Sequence, residues 1–336
     1  MEPEAIRTAE RVPHGSSDDP ELLDFSANTN PHVPPGVREV YEAAFAQART
    51  YPQEPPETYR HAAAEYVDCD PSKIIPTPGG LAAIRLAIEC TVSPGDSVLV
   101  PYPSFGEYAR EVQLQGAQPE FVPHDKLLEA DPDGHALAIL CNPNNPTGDA
   151  YDPDALREFA RTCHDSGTPL LVDEAFLGFT DHPSLAGEPG VIVARSLTKL
   201  FGLPGIRAGF AVADGDLRDS LLTARRSWNM GTPTLAVGAF CMRQADFITE
   251  TRERVATERD RMTATLSEHF TVHPSDAPYL LLDVGDSDVT SLLNRALEHG
   301  IAIRDATTFR SLESHVRVAI RLPDENDELL AVLCDV

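Results

Sequence analysis

The sequence has no cysteine pair in a C-x-x-C arrangement, no apolar run of bilayer length and no excess of basic residues. Each absence narrows what the chain can do. Its six cysteines, Cys69, Cys90, Cys141, Cys163, Cys241 and Cys334, are scattered. They indicate neither a zinc site nor a disulfide framework, and most read as small buried hydrophobes. With no membrane-length segment, and with a charged rather than signal-like stretch from Met1 to Asp19, the expected location is the cytosol. Lys and Arg total 27 against 53 Asp and Glu, a formal charge of -26, which argues against a nucleic-acid or anionic-membrane surface. The same acidity fits a high-salt cytoplasm and ordinary acidity alike.

A chain of 336 residues is long enough for one large α/β domain with a smaller companion. Short apolar runs at 96–100, 136–140, 169–172, 191–194 and 209–213 have the length and composition of buried strands. Helical spacing of apolar residues over 81–88, and a helix over 153–166, predict strands alternating with helices. Residues 1 to about 20 read as mobile; an extended segment from Leu22 then ends in the turn at Asn28 and Asn30, and a helix is expected over 35–48. From about Thr234 to His269 the pattern is again helical, as one long helix or two, and strands follow at 278–282, 301–303 and 315–321.

Polar loops follow these strands, at the edge where ligands bind in open α/β sheets. Ser196-Leu-Thr-Lys199 comes after the strand at 191–194, with Arg207 eight residues on. An amine flanked by two hydroxyls and backed by an arginine suits a carbonyl cofactor that carries a phosphate. The lysine can form a Schiff base while Ser196, Thr198 and Arg207 hold the dianion. Ser-x-x-Lys is equally a nucleophile motif of unrelated hydrolases or a solvated helix start. Gly79 and Gly80 open a helix and would let a phosphate approach free N–H groups, although glycines at turns are commoner than phosphate sites.

The loop 101–108 offers Phe105 either for stacking on a flat cofactor or for the core. In 141–148, three asparagines in four positions lie among prolines, more than a turn requires, and an amide there can donate to a phenolate oxygen. Asp173 ends its strand and can keep a ring nitrogen protonated. A catalytic carboxylate or a metal ligand would look the same, but no second carboxylate or histidine at ligand spacing supports a metal. Asn28 alone reads as turn chemistry and Tyr51 as packing. Alternation over 315–321 sets Arg317 and Arg321 on one face, either a solvated edge or a pair of guanidiniums for an anion.

The order of these motifs is more specific than any one of them. A glycine-opened helix, an aromatic loop, Asn-Asn-Pro-Thr-Gly, Asp-Glu-Ala-Phe, Ser-Leu-Thr-Lys, Gly-x-x-Gly-x-Arg and a C-terminal arginine strand run from about Leu22 to Leu333. Together they resemble the fold-type I, pyridoxal-phosphate-dependent aminotransferase superfamily. Within it, the stretches 24–31, 173–176, 303–304 and 317–321 look most like threonine-phosphate decarboxylases of cobalamin synthesis, with histidinol-phosphate aminotransferases as near neighbours.

The resemblance implies an α/β fold: a three-layer large domain around a mostly parallel sheet, plus a smaller α+β domain. The expected division is an arm over 1–48 joining the small domain, a cofactor domain over 49–230 and a small domain over 231–336. It implies Lys199 as the Schiff-base lysine, Asp173 as partner of the pyridinium nitrogen, Asn145 as donor to the ring oxygen and Phe105 as the stacking ring. The backbone at Gly79 and Gly80, with Ser196, Thr198 and Arg207, would hold the cofactor phosphate. Arg317 would take the substrate carboxylate, Arg304 and Arg321 the substrate phosphate, and Asn28 and Tyr51 are further substrate contacts. Tyr51 would reach into the neighbouring subunit's site, so the resemblance implies a homodimer. Two departures stand out: Phe176 occupies a position where many aminotransferases carry tyrosine, and Pro78-Gly-Gly-Leu81 offers no acidic or hydroxyl side chain beside the phosphate.

Overall fold

Seven strands make the central sheet in the computed structural model, which describes residues 1–334. Across the sheet their order is Ile74–Thr77, Gly209–Val212, Val191–Ser196, Leu170–Asp173, Leu137–Cys141, Ser97–Tyr102 and Gln118–Pro123. All are parallel except Gly209–Val212, which runs against both neighbours. The central strands are continuous apolar runs because both of their faces are covered. Ala138 and Leu140 enter one core cluster with Leu156 and Phe159, while Leu137, Ile139 and Cys141 enter the other with Ile84 and Val112. Helices therefore flank the sheet on both faces, giving three layers. The crossover helix Pro153–Ser166 has sharp ends: Asp152 accepts from the Asp154 and Ala155 N–H groups at its start, and Gly167 takes a left-handed φ of 77° at its end.

The helical stretch expected over 234–269 is two helices, Thr232–Met242 and Ala245–Leu266. Beyond them lies a four-stranded antiparallel sheet in the order Arg304–Asp305, His315–Ala319, Tyr279–Asp283, Thr271–Val272. Near the start of the chain, Leu23–Asp24 pairs in parallel with Ile301–Ala302.

The expectation of mobility over residues 1 to 20 is corrected. Pro3–Thr8 is a helix, Glu2 N–H donates to the Leu114 carbonyl at 2.7 Å, and Arg110 Nε donates to the Glu10 carbonyl at 2.9 Å. This segment is fixed mainly through backbone groups, which a search for apolar periodicity does not register. Among the described residues, no helix is long and apolar enough to cross a membrane.

Candidate active site

The carboxyl ends of the central strands open into a cavity of about 770 Å³. At its floor the helix Gly80–Thr91 begins directly after Gly79, whose φ of 94° a residue with a Cβ rarely adopts. A Cβ on Gly79 would lie 2.6 Å from Arg207 Nη2, and one on Gly80 would lie 3.1 Å from Ser196 Cβ. The two glycines thus leave room for Arg207 and Ser196 to close around the helix start, where free N–H groups and the helix dipole favour an anion. Ser196 Oγ and Thr198 Oγ1 stand 2.9 Å apart, and both residues line the cavity with Arg207. Gly79 stands just behind Arg207.

Asp173 lies at the next strand end with its carboxylate in a fixed orientation. Ala175 N–H donates to Oδ1 at 3.0 Å and Tyr108 Oη donates to Oδ2 at 2.7 Å. Burial pushes the Asp173 carboxyl up to about 6, against the pull of those two hydrogen bonds. Phe105 lines the cavity edge-on to Tyr108, with ring centroids 5.5 Å apart. Phe176, edge-on to Tyr279 at 5.1 Å, is also in the wall. Lys199, beyond the strand Val191–Ser196, is held through its backbone by Asn30 N–H, which donates to its carbonyl at 2.9 Å. Burial first, then the Arg317 and Arg207 charges, bring its amine down to about 8. A lysine that loses its proton near neutrality is a competent nucleophile toward a carbonyl.

Asn145 is oriented by Arg317, whose Nη1 donates to Asn145 Oδ1. A guanidinium only donates, so the amide oxygen must face it, which turns the NH₂ donor elsewhere. Arg317 also donates from Nη2 to the Ser26 carbonyl at 3.0 Å, and its Nε is buried with no partner. Burial brings this guanidinium down to about 10. Directly across the sheet pairing is Arg304, which donates from Nη2 to the Pro13 carbonyl and to Thr308 Oγ1, both at 2.8 Å. Among the described residues neither arginine has a carboxylate within 4.0 Å. Asn28, 3% exposed, lines the same cavity with an unpartnered Oδ1.

Two expected site residues do not line this cavity. Arg321 is corrected: the regular strand ends at Ala319, so alternation no longer governs position 321. Its guanidinium makes a two-pronged ion pair with Glu325, at 3.0 Å on each side, and donates to the Asp24 carbonyl at 3.1 Å. Tyr51, expected to serve a neighbouring subunit's site rather than its own, is 79% exposed and packs at a tilt against Trp228, ring centroids 4.8 Å apart.

The sequence reading also missed residues that line or support the cavity. Residues 10–15 form part of its wall, with His14 Nε2 3.0 Å from Glu107 Oε1 and its ring 5.8 Å from Phe105. Arg310, stacked 3.7 Å over the Phe121 ring, lies at the rim. Tyr108 follows Phe105 by three positions in the same aromatic stretch; it lies in the first turn of the helix Glu107–Leu114, and its N–H donates to the Phe105 carbonyl at 3.2 Å.

Pyridoxal phosphate fits this donor set. The glycine cradle would take its phosphate beside Ser196, Thr198 and Arg207, the buried carboxylate its ring nitrogen, and Lys199 its aldehyde. The model of the family "Aminotransferase class I and II" matches residues 20–333. Histidinol-phosphate aminotransferase 2 of Archaeoglobus fulgidus is 29% identical over 329 residues, covering 95% of this chain and 94% of the relative. An aromatic amino acid aminotransferase of Mycobacterium sp. (strain KMS) is 31% identical over 334 residues, covering 93% and 91%. Among solved structures, L-threonine-O-3-phosphate decarboxylase from Porphyromonas gingivalis superposes with a TM-score of 0.82 at 25% identity, covering 92% of this chain and 97% of that one.

Proposed function

Because the chain belongs to the class I and II aminotransferase family of pyridoxal-phosphate-dependent enzymes, we propose that it decarboxylates L-threonine O-3-phosphate to 1-amino-2-propanol phosphate, the linker of the cobalamin nucleotide loop. The observation that carries this reading is the cross-strand pair Arg304 and Arg317. Two buried guanidiniums on neighbouring strands, without carboxylate partners among the described residues, repel each other unless anions lie between or beside them. A substrate with both a carboxylate and a phosphate supplies two.

When bound, pyridoxal phosphate supplies the electron sink for the bond that breaks at the substrate α-carbon. Arg317 would bind the carboxylate and Arg304 the phosphate, so the two guanidiniums together would fix the direction in which the carboxylate is held. Asn28 Oδ1 accepts a hydrogen bond from the substrate. Phe105 and Phe176 exclude water from one side of the cavity. Lys199 Nζ, able to hold or release a proton near neutrality, returns a proton to the α-carbon after carbon dioxide leaves. In this reading Tyr51 belongs to a homodimer interface and completes the partner's site, and the enzyme works in the cytosol. The domain division is 1–48, 49–230 and 231–336, whose positions 335 and 336 lie outside the described residues.

A second reading, histidinol-phosphate or aromatic amino acid aminotransferase, is favoured by the aromatic rim of Tyr102, Phe105 and Phe121, which suits a flat imidazole or aromatic side chain. The test is to supply L-threonine O-3-phosphate without an oxo acid and assay carbon dioxide and aminopropanol phosphate. Release of both supports the decarboxylase. No release, with glutamate formed from histidinol phosphate and 2-oxoglutarate, overturns it in favour of the transferase.

A further inference from the structure

Tyr108 is fully enclosed and Asp173 is buried with an edge on the cavity, and the 2.7 Å hydrogen bond between them ties the phenol to that lining group. The phenol comes from the helix Glu107–Leu114, the carboxylate from the end of Leu170–Asp173, so the bond spans two separate elements. We propose that Tyr108 is a positioning residue that fixes the Asp173 carboxylate and keeps it ionised when the pyridine nitrogen of the cofactor is opposite it. This inference rests on the reading that Asp173 faces that nitrogen.

The geometry gives the phenol two effects. With Oδ1 held by the Ala175 N–H and Oδ2 by Tyr108, the carboxylate cannot rotate about its last bond. Its remaining lone pairs therefore keep one direction. A donor to a buried carboxylate also stabilises the charged form, which desolvation opposes. The other groups around the pair do not replace this donor. Cys141 is the cross-strand neighbour of Asp173 and its thiol is buried at the same junction. Glu174 is turned away into a pair with Arg195 and bonds to Ser184 and Leu185. Tyr279 donates to the Asn144 carbonyl. Tyr108 is thus the side-chain donor that Asp173 has among the described residues.

The test uses the full chain stripped of cofactor and titrated with pyridoxal 5'-phosphate across pH 5 to 9, for wild type, Tyr108→Phe, Asp173→Asn and the double variant. Tyr108→Phe is expected to weaken cofactor binding about tenfold at neutral pH, the scale of one hydrogen bond to a charged group. It should also move the acid limb of the affinity profile upward by about one pH unit. On the Asp173→Asn background the same change should alter affinity less than about twofold, because the group it acts through is gone. Equal weakening on both backgrounds, or an acid limb that stays in place, overturns the role of Tyr108 alone. If Asp173→Asn binds the cofactor as wild type does, the reading of Asp173 itself falls and this inference with it. Should Tyr108→Phe not fold, 3-fluorotyrosine at position 108 serves instead. Its more acidic phenol donates more strongly and must move the acid limb downward, and an upward or null shift overturns the proposal.

Discussion

Arg317 and Asn145 meet across two parts of the fold: Nη1 of the arginine, on a strand of the antiparallel sheet, donates to Oδ1 of an asparagine in the loop after Leu137–Cys141. The orientation of the amide therefore depends on a residue from the other sheet. Arg317→Lys keeps the charge but loses the planar fork, so it cannot hold Asn145, the Ser26 carbonyl and a carboxylate together. The expected outcome is a rise in KM for a carboxylate-bearing substrate of about ten- to a hundredfold, from a loss of roughly 1.5–3 kcal/mol. Steady-state kinetics check it, and an unchanged KM would remove Arg317 from substrate binding.

Lys199→Ala is expected to abolish covalent capture of the cofactor. Borohydride reduction followed by peptide mass analysis should find the added cofactor on the Lys199 peptide of the wild type and on no peptide of the variant. Turnover should fall by about 10²–10⁴-fold through loss of the proton carrier alone.

Gly209 is a backbone contact point. A Cβ there would lie 2.6 Å from the Arg195 carbonyl oxygen and 2.7 Å from the Gly79 carbonyl carbon. Neither atom belongs to a flexible side chain. Gly209→Ala should lower stability by about 1–3 kcal/mol, the usual cost of overpacking, and weaken phosphate binding by shifting Gly79. Urea denaturation and titration with inorganic phosphate read the two effects separately.

The cofactor-free protein should show two pH slopes in stability. The Asp173 carboxyl is raised from 3.8 to about 6, so the folded state keeps a proton that the unfolded state releases. Stability therefore falls as pH rises through about 4 to 6, by about 3 kcal/mol at most. The Lys199 amine is lowered from 10.5 to about 8, so the unfolded state holds the extra proton between those values. Stability then rises with pH from about 8 to 10.5 by a similar amount, about 3 kcal/mol. Urea midpoints across pH, with Asp173→Asn removing the first slope and Lys199→Met the second, test the assignment.

Most of what the sequence made legible followed from apolar runs ending in polar loops. The strands carrying Cys141, Asp173 and Ser196 are buried on both faces, so their composition is uniform and their ends are abrupt. Lys199 and Asn145 could be read as members of one cavity wall because they follow two of those ends, and Phe105 because it follows the end of Ser97–Tyr102. Arg321 was misread because alternation holds only within regular pairing, which stops at Ala319. Residues 10–15 were missed because backbone carbonyls, such as those of Glu10 and Pro13 bound by Arg110 and Arg304, leave no trace in side-chain pattern. The contact of Tyr108 with Asp173 joins residues 65 positions apart, beyond any local signal.

The reversal of Gly209–Val212 against its neighbours has a mechanical consequence. Ser196 is paired with Gly209, so the excursion over residues 197–208, which carries Lys199 and Arg207, is pinned shut at its base. In the proposed site, amine and guanidinium are jaws of one calliper whose backbone separation is set by that closed ring. Affinity gained this way comes from motion already forgone during folding. Lengthening or shortening that excursion by a residue would reset the gap while leaving every gripping group in place.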